Sequence, residues 1–376
     1  MTSDDLPPEA YAAALAGFPG MWPARLRKML QRQPPFDVWR AVAGETPPNA
    51  GVAEAIRRTP DLPARWRAHA GRHPPEQVWA RCATAGVAVH LLGRSGYPDI
   101  LATDREAPAV LFSRGDLAVL DGRRVAVIGT RNATATGRDL ARELGAGLAA
   151  AGVRVVSGLA RGIDGAAHRG ALAAHGAAPV GVVACGLDVV YPGEHCDLWS
   201  DVATRGALLA EVPPGTSPEG YRFPLRNRIL AALSELVVVV ESRAAGGSLV
   251  TVEAAERRGI PVLAVPGSPR NVAADGANRL IADGATPVLD VTDVLVALGL
   301  SSGRARRPPG DERLPPEGDD AVVLALFGDQ PLDLQRVQTH SGLSIDDSAL
   351  ALARLEAAGW LMRTGGWFER APGGVA

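Results

Sequence analysis

Val125-Ala-Val-Ile-Gly-Thr-Arg131 runs from a β-branched stretch into Gly129, Thr130 and Arg131, with a helix expected from about Thr136. At such a junction free N–H groups and the helix dipole favour an anion. Gly129 allows close backbone approach, and the Arg131 guanidinium matches phosphate oxygens. The spacing is not GxGxxG, so the dinucleotide fingerprint is absent. A tight turn with a surface arginine is the plain alternative. A second junction, Val155-Val-Ser-Gly-Leu-Ala-Arg-Gly-Ile-Asp-Gly-Ala-Ala-His168, places Ser157, Gly158 and Arg161 before another helix. Asp164 and His168 share a helix face at i, i+4. That spacing permits a metal pair, an acid–base pair or a structural hydrogen bond; the missing third ligand favours the last.

Tyr221-Arg-Phe-Pro-Leu-Arg-Asn-Arg-Ile229 gathers Arg222, Arg226, Asn227 and Arg228 around Phe223. Arginines interleaved with an aromatic suit single-stranded nucleic acid, with phosphates on the guanidinium groups and a base on the ring. Solvated arginines at a helix start around a core Phe are the alternative. Glu241-Ser-Arg-Ala-Ala-Gly-Gly-Ser-Leu-Val-Thr251 offers Gly246, Gly247, Ser248 and Thr251 as a helix-N-terminal nest. Val265-Pro-Gly-Ser268, with Gly276-Ala-Asn278, repeats the theme. Small and polar residues thus follow strand after strand, at the edge where open α/β sheets bind ligands.

The elements that must position these loops are legible as short runs rich in β-branched residues. They are Val125–Ile128, Val153–Val156, Pro179–Ala184, Leu236–Val240, Ile260–Val265 and Val288–Val291. Stretches of helical period separate them, such as Leu140, Leu144 and Leu148. Alternating apolar strands and helices predict a doubly wound parallel sheet of α/β class over residues 83–300. Residues 1–82 read as a small helical domain, broken by proline pairs, with Trp39, Trp66 and Trp79 as anchors. Residues 301–318, nearly free of apolar side chains, read as a linker. Residues 319–376 predict helices at Val322–Phe327, Leu332–His340 and Asp346–Ala358. A hairpin of Trp360–Met362 and Trp367–Glu369 follows, the order of a C-terminal winged-helix domain.

Composition limits the partners. The 376 residues are 47% hydrophobic and 21% charged, with a formal net charge of −2. Anion binding must therefore come from a local cluster. Lys28 is the only lysine, so arginine carries nearly all positive charge and any single Arg is less telling. Cys82, Cys185 and Cys196 form neither a disulfide framework nor a CxxC pair. With no apolar leader at Met1–Glu9 and no run long enough to span a bilayer, a cytoplasmic protein without membrane contact is expected.

In this order the motifs resemble the DNA-processing protein A family (DprA, also called Smf). They are IGTRNAT, SGLARGIDGAAH, GLDVVYPGEH (Gly186–His195), FPLRNRILAALS (Phe223–Ser234), GGSLVT, AVPG and GANRLIADGA. Gly96-Tyr-Pro-Asp99 and Ala107–Phe112 also fit. The resemblance implies an extended Rossmann-like fold for the doubly wound domain, single-stranded DNA binding, homodimerisation and delivery of strands to the RecA recombinase during natural transformation. It places Arg131, Phe223, Arg226, Asn227 and Arg228 in the DNA pocket, with Ser157, Gly158 and Arg161 adjoining. Thr130 and Gly246 each stand where the family usually has Ser. Leu15-Ala-Gly-Phe-Pro-Gly-Met-Trp-Pro-Ala-Arg-Leu26 looks like a helix-hairpin-helix whose second hairpin glycine is replaced by Trp22. That segment is not assigned to DNA, and the acidic third helix of the C-terminal segment suits protein contact better than DNA reading.

A non-enzymatic strand binder with no cofactor, no metal and no catalytic residue is therefore expected, protecting strands and loading RecA. One rival is a phosphoribohydrolase-like nucleotide enzyme. It would use Glu253, in a loose echo of PGGxGTxxE that lacks the preceding proline. The other is a nucleotide sensor signalling through the winged helix.

Overall fold

The protein is described by a computed structural model covering residues 6–57, 59, 61–301, 316–327 and 331–371. Two units are present, residues 1–302 and 303–376. The expected linker 301–318 lies, but for its ends, outside the described residues.

The first unit begins with six helices, from α1 (Pro8–Ala16) and α2 (Pro23–Leu30) to α6 (Pro75–Thr84). Several start with proline at the first turn, where its missing N–H costs nothing. Trp39 and Trp66 are buried, and Trp79 packs partly against them. These helices share one hydrophobic core with β1 (Ala88–Leu91) and β2 (Val110–Gly115). A short α7 (Asp99–Ala102) joins those two strands.

The α/β layer follows: β3 (Arg124–Ile128), α8 (Ala135–Ala150), β4 (Arg154–Ser157), α9 (Ile163–Ala173), β5 (Val180–Val182), α10 (Cys196–Arg205) and β6 (Ala207–Ala210). Then come α11 (Arg222–Ala232), β7 (Leu236–Val239), α12 (Leu249–Glu256), β8 (Val262–Ala264), α13 (Asp275–Ala282), β9 (Thr286–Pro287) and α14 (Val291–Ala297). The nine strands run in the order β1-β2-β6-β5-β4-β3-β7-β8-β9. From β6 to β9 every pairing is parallel. Alternate side chains explain the layers. Val125 and Val127 pack with α8, α9 and α14, whereas Ala126 and Ile128 pack with α11, α12 and α13.

The expected all-parallel sheet is corrected at one end, where β1 and β2 pair antiparallel with each other and β2 with β6. None of these three strands had been marked by β-branched runs. The expected strand Val288–Val291 is also displaced. The ladder ends at Pro287, and Asp290 caps α14 by accepting the Thr292 N–H. Strand order reverses at β3, since the chain builds outwards through β4, β5 and β6 and returns to place β7 on its other flank.

The second unit holds α15 (Gly318–Ala325), α16 (Leu334–Ser341) and α17 (Ile345–Ala357) around a core that includes Val323, Val337, Leu352 and Phe368. The hairpin of β11 (Leu361–Thr364) and β12 (Trp367–Arg370) turns at Gly365 and Gly366, both at positive φ. Leu332–Asp333, expected as helix, instead pairs with β12 as β10, and the Asp333 carboxylate caps α16.

Candidate nucleic-acid interface

A cleft of about 620 Å³ opens at the carboxyl edge of the sheet, beside the switch point between β3 and β7. Strand-order reversal leaves a crevice there because neighbouring crossovers leave on opposite faces. The loops after β3 and β7 and the start of α11 form its walls.

Arg131 is exposed and its guanidinium lies 4.4 Å from the centre of the Phe223 ring. Tyr191 stands 5.7 Å beyond Phe223, tilted by 50°. One cation and two aromatic faces thus form a row, the arrangement that takes a phosphate and its neighbouring bases. Tyr191 lay in the GLDVVYPGEH motif but was not among the expected site residues. Arg243, which also lines the cleft, was missed because a lone loop arginine carries no spacing signal.

The helix ends around this cleft are not equivalent. Thr130 donates its backbone N–H to the Glu241 carbonyl oxygen at 2.7 Å, and its hydroxyl accepts the Asn132 N–H. The Glu241 carboxylate then accepts the Thr134 N–H at 2.9 Å and the Thr134 hydroxyl at 2.6 Å. A Cβ on Gly137 would collide with it. The expected phosphate seat at the start of α8 is therefore corrected: a carboxylate of the protein already occupies it. At α9 the first turn carries Asp164, which accepts the Gly158 N–H at 3.1 Å. No side chain caps α12 among the described residues. Gly246, Gly247 and Ser248 lead into it along the cleft, and the Ser248 hydroxyl is turned inward onto Ser242 at 2.9 Å.

The other expected site residues divide. Ser157 is buried and its hydroxyl donates to the Val127 carbonyl at 2.6 Å, so it ties β4 to β3 and does not line the cleft. Gly158 is buried beneath the Arg226 guanidinium, which fills the space a side chain would need. Arg226 forms part of the cleft floor but is 6% exposed and donates to the Val182 carbonyl. Burial lowers its pKa to about 10, against the upward pull of Asp164. Burial likewise pushes the Asp164 carboxyl above its ordinary range, opposed by Arg226. Arg226 is thus a floor cation, not an exposed finger.

Asn227 donates to the Gly247 carbonyl at 3.2 Å and stitches α11 to the β7 loop. Arg161 is exposed, bonded twice to Glu194, and lines an adjoining recess with Arg131, Tyr191 and Phe223. Such exposed pairs are weak, so Arg161 can exchange partners. Arg228 does not join the cleft. It points to the other side of α11, where it meets Glu211 and donates to the Glu106 carbonyl at 2.6 Å.

His168 is fully buried, and burial holds its imidazole down to about 3, so it is neutral at ordinary pH. No metal-holding group of His, Cys, Asp and Glu occurs among the described residues. Glu253, the rival catalytic carboxylate, is exposed beside Arg257 at 3.9 Å and does not line the cleft. Asn278 holds both backbone groups of Gly267 at 3.0 and 2.9 Å, which makes the fifth junction a structural clamp. No helix among the described residues is long and apolar enough to cross a membrane.

Residues 88–299 match the family model described as DNA recombination-mediator protein A. The chain is 38% identical to the DNA processing protein DprA of Bacillus subtilis over 223 residues, 59% of this chain and 75% of that protein. It is 34% identical to the Smf protein of Escherichia coli over 280 residues, 73% and 75% of the two chains. The X-ray structure of DNA processing protein A from Streptococcus pneumoniae superposes with a TM-score of 0.63 at 29% identity, covering 77% of this chain and 98% of that one. A Helicobacter pylori structure, titled for the single-stranded DNA binding mode of its DNA processing protein A, gives 0.51 at 27% identity over 56% and 95%.

Proposed function

This chain belongs to the DNA recombination-mediator protein A family, and from that premise we propose that its switch-point cleft binds single-stranded DNA. The observation that carries the reading is the row Arg131–Phe223–Tyr191 facing the uncapped start of α12. Among the described residues neither Arg131 nor Arg243 has a carboxylate partner, so both are free for phosphate. Bases stack on Phe223 and Tyr191, and the N–H groups at Gly247 and Ser248 receive a second phosphate. The relative from Helicobacter pylori, studied for its single-stranded DNA binding, supports the choice of ligand.

No covalent step is proposed; the protein holds strands during DNA processing. Protection of incoming strands, RecA loading and a homodimer are proposed on the family resemblance, as is a cytoplasmic site of action. A winged-helix identity for the second unit rests on its three helices and its hairpin. Asp346, Asp347 and Glu356 on α17 favour a protein partner there over DNA.

A salt titration of oligothymidylate binding tests the cleft. Arg131→Ala should weaken binding about tenfold and reduce the slope of log K against log salt by about 0.7, the value for one phosphate on a single strand. Unchanged affinity and slope would remove the cleft from consideration.

A further inference from the structure

Arg228 faces away from the cleft, and what it faces is informative. A second groove, of about 520 Å³, runs on that side of α11, lined by Arg228, Leu225, Arg105, Arg27, Lys28 and Trp22. Arg105 is exposed and has no ion-pair partner among the described residues. Lys28 is held only by an exposed pair with Glu54. The groove's one carboxylate, Glu106, is taken up by Arg258 at 2.8 Å. The surface left over is cationic.

The two clefts lie on either side of the start of α11, which gives Phe223 and Asn227 to the first and Leu225 and Arg228 to the second. A smaller cavity between them is lined by Trp22, Tyr221, Arg222, Leu225 and Arg226. It shares Arg226 with the first cleft, and Trp22 and Leu225 with the second groove. At this crossing Trp22 and Tyr221 are each 43% exposed, with ring centres 5.1 Å apart in an edge-on pair. The Arg222 guanidinium lies 4.9 Å from the Tyr221 ring. Two exposed aromatics beside an arginine resemble the Arg131–Phe223–Tyr191 row, with Tyr221 and Arg222 directly preceding Phe223 in the chain; here the arginine also meets Glu219 at 3.3 Å.

We propose that the DNA strand continues from the first cleft over Tyr221 and Trp22 into this second groove. A base stacks at the Trp22–Tyr221 crossing, and phosphates are held by Arg105, Arg27 and Lys28. The inference rests on the reading of the first cleft as a strand site. It gives the N-terminal helices a DNA contact through a side chain of the hairpin segment, at the very residue that replaces its glycine. Backbone approach at that hairpin plays no part.

The test is a comparison of two oligothymidylates, one of about six nucleotides, near the lower end of the range of strand sites, and one of about sixteen, at its upper end. Trp22→Ala should weaken the long one five- to tenfold and leave the short one unchanged, with Trp22→Phe restoring most of the loss. Arg105→Glu should weaken the long one by a similar factor and lower its salt slope. Because both side chains are exposed, neither variant needs to disturb the fold. Unchanged long-strand affinity in both variants overturns the proposal. Equal losses at both lengths overturn it too, since Trp22 would then act by shaping the first cleft. Arg131→Ala in the same assay keeps the two readings apart. If it weakens neither length, the first cleft fails; if it weakens both while Trp22→Ala weakens neither, only the continuation fails.

Discussion

The starts of α8 and α12 are built from similar materials: an apolar strand, a turn containing glycine, a hydroxyl and a helix. The turns that lead to them, Gly129–Arg131 and Gly246–Ser248, line one cleft beside the switch point. Yet α8 begins against the Glu241 carboxylate, which accepts two hydrogen bonds from Thr134, while α12 begins with no side-chain cap. A helix N-terminus attracts an anion wherever it occurs. Whether that anion comes from the protein or from a ligand depends on a single residue just beyond the neighbouring strand. Glu241 follows β7, so its carboxylate serves the helix that follows β3 and leaves its own successor open.

The contrast can be attacked from either end. Glu241→Ala should have the largest effect. Loss of the charged acceptor leaves Thr134 and the α8 terminus unsatisfied and costs about 2–3 kcal/mol in urea unfolding. The vacated seat should then take a small anion, so sulfate should stabilise the variant more than the parent. An unchanged midpoint would mean that Glu241 is not the anion this helix needs. Gly247→Asp is the converse experiment. Nothing lies near a Cβ at that position, so the carboxylate is accommodated and imitates at α12 what Glu241 does at α8. DNA affinity should fall about fivefold, roughly 1 kcal/mol, while thermal stability holds or rises slightly. Undiminished binding would show that the α12 start carries no phosphate. The smallest effect is expected from Thr134→Ala. It removes the acceptor for the Gly137 N–H and costs about 1 kcal/mol of stability, with DNA affinity untouched because α8 is already occupied.

Much of this cleft was legible in the sequence, since each glycine turn marks a strand end and parallel strands open at one edge. The division of α11 was legible too, though the expected pocket overlooked it. Phe223, Arg226 and Asn227 are spaced i, i+3, i+4 and share a face, whereas Arg228 is two residues from Arg226, about 200° round the helix. The role of Glu241 was hidden, because it depends on β7 lying beside β3, and strand order is not written in local spacing. Burial of Arg226 was equally invisible. FPLRNR describes charge, and only the absent side chain of Gly158 reveals where that charge is stored. The antiparallel end escaped for a simpler reason. β2 begins as the apolar run Val110–Phe112, which carries no mark of direction.

The margins of the sheet bear on how two copies could meet. One margin is β9, two residues long and ending in Pro287, which has no N–H to offer. The other is β1, only four residues long. Short margins of this kind resist the addition of a foreign strand. Self-association by a shared ladder is therefore poorly served by the nine-stranded sheet. A homodimer formed through this unit would then rest on side-chain complementarity between helices or loops, a surface that substitution can redesign without touching the sheet.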